Sequence, residues 1–226
     1  QREMEYKTYG KKGRPVLIFP SQDGRYFDFE NFGMIDVLAP WIEKGEIRAI
    51  CVDGIDGETW SNRSADNRWR REHHERWYHY VTQKLLPENR KRKTETFIVT
   101  GCSMGAFHAG NFFFRRPDIF DSVIALSGLY TAGYGFPMYS DELTFMNSPI
   151  DFLREKYSDT PIVGMEPAVK PAAMATRSGV VGVLATAGSL GGDLFLRTSA
   201  RYADRARFIA AVGEGFVEIV EQSQES

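Results

Sequence analysis

Short apolar runs alternate with amphipathic stretches along most of the chain, and polar, turn-forming segments separate them. Continuous apolar runs of this length predict buried strands. The runs lie at 16–19, 47–52 and 122–126, and a further strand-like segment at 95–100 contains the apolar residues 97–99. Apolar residues at helical spacing predict a helix over 32–42 ended by Gly45, and a longer helix over 67–86 ended by Pro87. Such alternation of strands and helices is typical of a mostly parallel sheet with helices on both faces.

Less regular segments complete the pattern. Residues 4–9 predict an edge strand, and the aromatic segment 130–147 predicts an irregular cover with a short helix over 141–145. From about residue 159 the aromatic residues thin out, and alanine and glycine take over. In this last part, strands and helices are predicted at 161–164, 167–177, 180–184, 190–202, 208–212 and 215–222. The sequence therefore predicts a three-layer, doubly wound α/β fold.

The segment 100–106 contains the pattern Gly-x-Ser-x-Gly. It follows the apolar run Phe97-Ile98-Val99 and precedes apolar residues at helical spacing. Strand, Gly-x-Ser-x-Gly and helix in this order form the nucleophile elbow of an α/β-hydrolase, with Ser103 as the nucleophile. Side chains at Gly101 and Gly105 would collide with neighbouring backbone in such a turn. The alternative is a tight strand-to-helix turn in which the serine caps the helix.

An elbow of this kind predicts an oxyanion hole made of two backbone N–H groups. One belongs to Met104, which follows the nucleophile. The other belongs to Ser21 or Gln22, in the polar loop after the strand at 16–19.

The general base is missing from its usual place. Hydrolases of this fold carry Ser, then Asp or Glu, then His in chain order, and no histidine follows His108 in this sequence. His108 lies five residues after Ser103, a spacing that turns it away from the serine, so we interpret it as a packed or surface histidine. The remaining histidines, His73, His74 and His79, lie in the basic helix and are interpreted as part of a solvated face. Their spacing does not match a helical zinc site, and no metal is expected.

Other polar and aromatic residues have structural interpretations beside functional ones. Asp53 follows a strand and is either a site carboxylate or a turn residue. Glu166 falls near the position of a triad acid but has no histidine to orient. Aromatic residues could be explained as the lining of an acyl pocket, but we favour core packing for most of them. They are Trp60, Trp69, Trp77 and those of the segment 130–136.

Composition limits the function classes. The 226 residues are 42% hydrophobic and 26% charged, with a formal net charge of -2, which gives no indication of nucleic-acid or anionic-membrane binding. No apolar run is long enough for a membrane helix, and no nucleotide-binding motif or other cofactor signature is found. Cys51 and Cys102 are predicted to be buried, reduced thiols, which suits a cytoplasmic protein.

Residues from about 4 to 153 resemble the esterase D-like family of α/β-hydrolases. The matching stretches include Gly13-Arg14-Pro15-Val16-Leu17-Ile18-Phe19-Pro20-Ser21-Gln22, Asn31-Phe32-Gly33-Met34-Ile35, Cys51-Val52-Asp53, Thr100-Gly101-Cys102-Ser103-Met104-Gly105, Ile124-Ala125-Leu126-Ser127-Gly128 and Asn147-Ser148-Pro149. The resemblance implies two further strands, the first with an acid and the second leading to a histidine-containing loop. The chain does not continue in that way.

Residues from about 161 to 221 resemble a fragment of glutamate racemase instead. The matching stretches are Val163-Gly164-Met165-Glu166-Pro167-Ala168-Val169-Lys170-Pro171-Ala172, Gly182-Val183-Leu184-Ala185-Thr186 and Glu214-Gly215-Phe216-Val217-Glu218. The resemblance implies that Thr186 and Ser189 align with substrate-contacting threonines of that family, with Ser189 a departure. It also implies two catalytic cysteines whose motifs are not found here, so we do not expect racemase activity.

These observations predict a chimera forming a single domain over residues 1–226, from an esterase-like segment 4–158 and a racemase-like segment 159–226. We favour an engineered recombinant, with a natural fusion as the alternative. We expect it to retain the elbow at Ser103 and to lack efficient activity. The alternatives are a serine esterase that acts on a small ester with an unrecognised base, and a non-catalytic binding or structural protein. Strands that fail to extend the sheet would leave a free edge and favour self-association.

Overall fold

The structure is a computed structural model that describes residues 3–136, 141–156, 169–185, 190–191 and 193–212. It divides into two compact units, residues 1–160 and 161–226. The division coincides with the change of segment that the sequence predicts near residue 159. The prediction that both segments form a single domain stays a prediction.

A five-stranded sheet in the order β1-β3-β2-β4-β5 is the centre of the first unit. The strands are β1 (Tyr6–Tyr9), β2 (Arg14–Phe19), β3 (Ile47–Val52), β4 (Phe97–Cys102) and β5 (Phe120–Leu126). Strands β2 to β5 are parallel, and β1 pairs antiparallel with β3. In register, Val16 of β2 lies between Ala49 of β3 and Ile98 of β4. Strand β1 lies at one edge of the sheet, which confirms the edge strand predicted for residues 4–9.

Seven α-helices surround this sheet in the described part of the first unit. They are α1 (Asp28–Asn31), α2 (Met34–Glu43), α3 (Asn67–Tyr80), α4 (Leu86–Asn89), α5 (Met104–Arg115), α6 (Glu142–Met146) and α7 (Pro149–Lys156). A turn of π-helix over Val81–Leu85 joins α3 to α4. The helical path continues past Pro87 to Asn89, although the sequence predicted an end at the proline. Pro87 lies in the first turn of α4, a position where proline is tolerated.

Hydrophobic side chains fill both faces of the sheet because successive residues of a strand point to opposite sides. Leu17 and Phe19 contribute to the larger cluster, which includes residues of α3, the π turn and α5. Val16 and Ile18 belong to a second cluster, against which Ile35 and other partly buried residues pack. The α/β fold with helices on both faces is confirmed.

Strand β5 is less buried than its apolar sequence predicts. Val123 packs against the larger cluster, so Ile124 and Leu126 point to the opposite face, where they are 55% and 51% exposed. The reason is tertiary: β5 is the edge strand of this sheet, and α5, the helix that contacts it, contributes Ala109 and Phe112 to the cluster on the Val123 face.

The described part of the second unit contains two helices and two strands. These are α8 (Val169–Ala175), β6 (Val180–Ala185), α9 (Asp193–Arg201) and β7 (Arg207–Val212). Strands β6 and β7 pair in parallel. Among the described residues of this unit, Ala173, Val181 and Ala206 form a buried cluster. The elements predicted at 161–164 and 215–222 lie outside the described residues.

Candidate active site

Ser103 occupies a sharp turn between the end of β4 and the start of α5. Its backbone has φ 56 and ψ -118, and it is one of three non-glycine residues with positive φ in the described chain. Such a conformation is strained for a residue with a side chain. The backbone N–H of Ser103 donates to the carbonyl oxygen of Leu126 at 2.9 Å. The side chain is exposed at the carboxyl edge of the sheet, which is the predicted geometry of an elbow.

The two flanking glycines are required by close backbone contacts. A Cβ atom at Gly101 would lie 2.3 Å from the carbonyl carbon of Gly105. A Cβ atom at Gly105 would lie 2.4 Å from the carbonyl oxygen of Pro20. Real Cβ atoms do not approach backbone so closely, and the collision predicted from the sequence is confirmed at both positions. The contact between Gly105 and Pro20 places the loop after β2 against the start of α5.

The residues predicted for the oxyanion hole lie on this loop and on this helix. The hydroxyl of Ser21 donates to the carbonyl oxygen of Cys102 at 3.4 Å, which places the loop beside the elbow. Gln22 is held by its side chain, which donates to the Ser61 hydroxyl at 3.0 Å and accepts from the Tyr134 hydroxyl at 2.9 Å. Met104 is the first residue of α5, and its N–H has no acceptor within the helix.

Cys102 is exposed, contrary to the prediction that both thiols are buried. It is the last residue of β4, where the strand leaves the sheet. Cys51 is buried, as predicted, and both cysteines are free. Burial raises the pKa of the Cys51 thiol to about 12, so this thiol stays protonated at neutral pH. An exposed thiol therefore lies next to the candidate nucleophile.

His108 is a packed histidine, as one of the two sequence interpretations proposed. Its Nε2 lies 2.9 Å from Oδ1 of Asp56, and both side chains are 1% exposed. Along an α-helix, five residues correspond to about 7.5 Å of rise and about 140° of rotation, so His108 points away from Ser103. Sequence reasoning missed the partner, Asp56, because 52 positions separate the two residues.

Helix α3 is not the solvated basic face that the sequence suggested. His74 is buried, and its Nδ1 accepts from Nε1 of Trp60 at 3.1 Å. Arg70 is also buried and donates to the carbonyl oxygen of Thr59. The loop before α3 folds back over this side of the helix and supplies both partners: the Thr59 carbonyl oxygen accepts from Arg70, and the Trp60 indole N–H donates to His74. His79 is exposed and contacts Gln83.

The third helical histidine, His73, pairs with Glu58 at 3.0 Å and stacks on Trp69. All four histidines of the sequence lie in the described residues. In that part of the chain, none of them is hydrogen-bonded to Ser103. Nor do three or more His, Cys, Asp or Glu side chains converge there as a metal site would require.

The remaining candidates of the sequence have mainly structural roles or lie outside the described residues. Asp53 is buried and accepts from Nε of Arg25 at 2.8 Å and from the Tyr26 N–H at 3.1 Å, so it anchors the β2–α1 connection. Trp60 and Trp77 are core residues, whereas Trp69 is 44% exposed. Three candidates lie outside the described residues: Glu166, Thr186 and Ser189.

Residues 3–186 match the family model described as "Putative esterase". The match spans most of the chain and includes the elbow, so the chain belongs to this esterase family. The relationship agrees with the α/β sheet and with the strand–serine–helix order at Ser103. No helix in the described ranges is both long and apolar enough to cross a bilayer.

A second relationship concerns a shorter stretch. The chain is 56% identical over 69 residues to a glutamate racemase of Pseudomonas putida strain W619, which is 30% of this chain and 26% of the racemase. It is 58% identical over the same length to the enzyme of Ectopseudomonas mendocina. The chain thus spans about a quarter of the length of the curated relatives it matches. It combines an esterase-family segment with a fragment similar to glutamate racemase, as the sequence predicted.

Among solved structures, the S-formylglutathione hydrolase FrmB from Staphylococcus aureus aligns with a TM-score of 0.49 and 14% identity. The alignment covers 96% of this chain and 80% of that enzyme.

Proposed function

We propose that this protein is a serine hydrolase of the esterase type that retains its nucleophile elbow and acts slowly on small carboxylic esters. The observation that carries the proposal is the position of Ser103. It is exposed and strained at the end of β4, beside the loop after β2, in a chain of an esterase family.

In the proposed reaction, Oγ of Ser103 forms a bond to the ester carbonyl carbon while its proton passes to water or hydroxide. The carbonyl electron pair moves to the oxygen, which the N–H groups of Met104 and of Ser21 or Gln22 stabilise. When this intermediate collapses, the bond to the leaving oxygen breaks and that oxygen takes a proton from water to give the alcohol. Water then attacks the acyl-serine, which releases the carboxylic acid and returns a proton to Oγ. The hydrogen bonds that hold Gln22 support a loop that is ordered before substrate arrives.

The reaction is expected to be slow because no imidazole is placed to accept the serine proton. Each of the four histidines contacts another residue: Glu58, Trp60, Gln83 or Asp56. Hydrolases that lose triad members keep a rate about 10³ to 10⁴ times that of water through the oxyanion hole and binding. This is the activity we propose. Racemisation is not proposed, since the similarity covers only about a quarter of the racemases.

The test is hydrolysis of p-nitrophenyl acetate by the parent and by Ser103→Ala. Two controls are needed because neighbouring groups also react with activated esters. Cys102→Ala removes the exposed thiol next to the serine, and Ser127→Ala removes a hydroxyl whose backbone has a similar φ of 58. We expect slow turnover that only Ser103→Ala abolishes.

The pH dependence separates the two candidate mechanisms. A serine without a base should become about tenfold faster for each pH unit, since it depends on hydroxide. A histidine-assisted serine should instead reach a plateau above pH 6 to 7, which would show a base and contradict the slow mechanism. Equal rates for the parent and Ser103→Ala would show that the elbow has only a structural role.

A further inference from the structure

A basic cavity lies at the edge of the first sheet opposite the elbow. Its volume is about 660 Å³, within the range of small-molecule sites. It is lined by Lys12, Gly13, Arg14, Pro15, Lys91, Arg92, Thr94, Glu95 and Thr96. Arg14 begins β2 and Thr96 precedes β4, whereas Ser103 follows the end of β4. Six-residue strands separate these edges by about 20 Å, so the cavity is separate from the candidate active site.

The charge of this lining is strongly one-sided. Four lining residues are cationic and one, Glu95, is acidic. Glu95 is already paired, since its Oε2 lies 2.8 Å from Nη2 of Arg48. Arg14 is paired with Asp121. In the part of the chain that the structure describes, Lys12 and Arg92 form no ion pair. Although the chain as a whole has a net charge of -2, positive charge is concentrated in the lining of this cavity.

Buried contacts hold the walls of the cavity in place. Arg48 is 5% exposed and donates to the carbonyl oxygens of Gly13 at 3.2 Å and Asn89 at 2.8 Å, besides its pairing with Glu95. Glu95 also accepts from the backbone N–H of Lys91 at 2.8 Å. One buried guanidinium thus joins both loops that supply the cations. Cations on a fixed frame lose less entropy when they bind a ligand.

A smaller cavity of about 330 Å³ adjoins the first and shares Lys91 with it. Its lining includes Arg48 and Arg90. Nε of Arg90 is buried and has no hydrogen-bond partner in the described structure. The same guanidinium donates through Nη1 to the carbonyl oxygen of Lys93 at 3.2 Å and lies over the Phe97 ring, so it adds a further cation beside the cavity.

We propose that this cavity binds a small anion that carries two or more phosphate groups. Arginine and lysine together suit phosphate oxygens, arginine through paired hydrogen bonds and lysine as a point charge. The cavity is open to solvent, and its four cations lie within one lining, which favours a compact ligand over an extended one. The proposal does not depend on ester hydrolysis at Ser103.

The test is calorimetric titration of the full chain with inorganic tripolyphosphate at low ionic strength. The variant Lys12→Ala/Arg92→Ala removes two exposed cations from the lining. Its matched control, Arg68→Ala/Arg76→Ala, removes the same charge from exposed positions of α3 that line neither cavity. We expect saturable binding to one site by the parent, at least about tenfold weaker binding by the lining variant, and no change in the control.

Three results would overturn the proposal. The first is that the parent shows no saturable binding. The second is that both double variants bind equally weakly, which would indicate only general charge attraction. The third result is saturable binding of a single-stranded oligonucleotide without binding of tripolyphosphate. It would show that the surface binds an extended polyanion. Thermal melting of each variant checks that the fold is retained, since exposed substitutions change stability little.

Discussion

Nε2 of His108 lies 2.9 Å from Oδ1 of Asp56, in a place where both side chains are 1% exposed. The pair joins helix α5 to the loop that follows β3. The rings of Trp60 and Trp77 lie 6.4 Å and 5.0 Å from the His108 ring, so little water competes for the hydrogen bond. This contact fixes the helix whose first residue belongs to the proposed oxyanion hole.

Replacement of Asp56 by alanine should lower the free energy of unfolding by about 3 kcal/mol, because it leaves the buried imidazole without its partner. Denaturant unfolding measures this change. The control is Asp118→Ala, which removes an exposed carboxylate paired with Arg116 and should cost less than about 1 kcal/mol. Equal losses in the two variants would show that the buried pair contributes no more than a surface pair.

His74 should make the protein less stable below neutral pH. Burial lowers the pKa of His74 well below its usual 6.5, and the nearby His108 and Arg115 lower it further. Below pH 6.5 the unfolded chain binds a proton there that the folded chain does not, so stability falls as the pH falls. One such group gives a slope of at most about 1.4 kcal/mol per pH unit.

Unfolding of His74→Phe between pH 5 and 7 tests this expectation. The variant removes the titrating group and should show a smaller slope, whatever its stability at pH 7. His79→Gln is the matched control, because His79 is an exposed histidine on the same helix, and it should keep the slope of the parent. A slope unchanged in His74→Phe would assign the acid sensitivity to other groups.

Glu75 should contribute to stability in the acid range. Burial raises its pKa, but the bidentate contact with Arg115 at 2.8 and 2.9 Å and the hydrogen bond from Asn147 outweigh it, so the pKa is lowered from 4.5. With a lowered folded-state pKa, the stabilisation is present above about pH 4.5 and is lost as the pH falls through the folded value. Glu75→Gln should therefore be less stable than the parent at pH 7, and the difference should shrink towards pH 3. A constant difference across this range would contradict the assignment.

Gly105→Ala should destabilise the protein by about 2 to 3 kcal/mol, because the new methyl group would lie 2.4 Å from the carbonyl oxygen of Pro20. It should also reduce any Ser103-dependent ester hydrolysis, since the loop and helix of the proposed oxyanion hole would move apart. Gly182→Ala is the control, as its Cβ would meet no atom of the described residues within 4 Å. Its change should stay within about 0.5 kcal/mol. Similar melting temperatures for both variants would contradict the close approach at Gly105.

Local pattern accounts for the agreement between sequence and structure at the elbow. The order of strand, serine and helix depends on neighbouring residues, and the glycines at 101 and 105 are needed for a close approach that the motif already implies. The strand Ile47–Val52 has the predicted bounds for a similar reason, since a mostly apolar run fits a strand buried on both faces, with Arg48 as its one charged residue.

Residues far apart in the chain explain the differences. The exposure of Ile124 follows from the position of β5 at the sheet edge, and the burial of His74 follows from the loop that covers α3. Neither can be predicted from a periodic pattern, because burial of a given face depends on which element packs against it.

The sequence by itself determined the α/β class, the elbow at Ser103 and the junction near residue 160, because strand and helix periodicity, turn residues and family similarity are local properties. Only the tertiary structure decided the partner of His108, the exposure of Cys102 and the basic cavity beside Arg48. These depend on distances between residues that the chain separates, and such distances exist only once the sheet has brought its loops together.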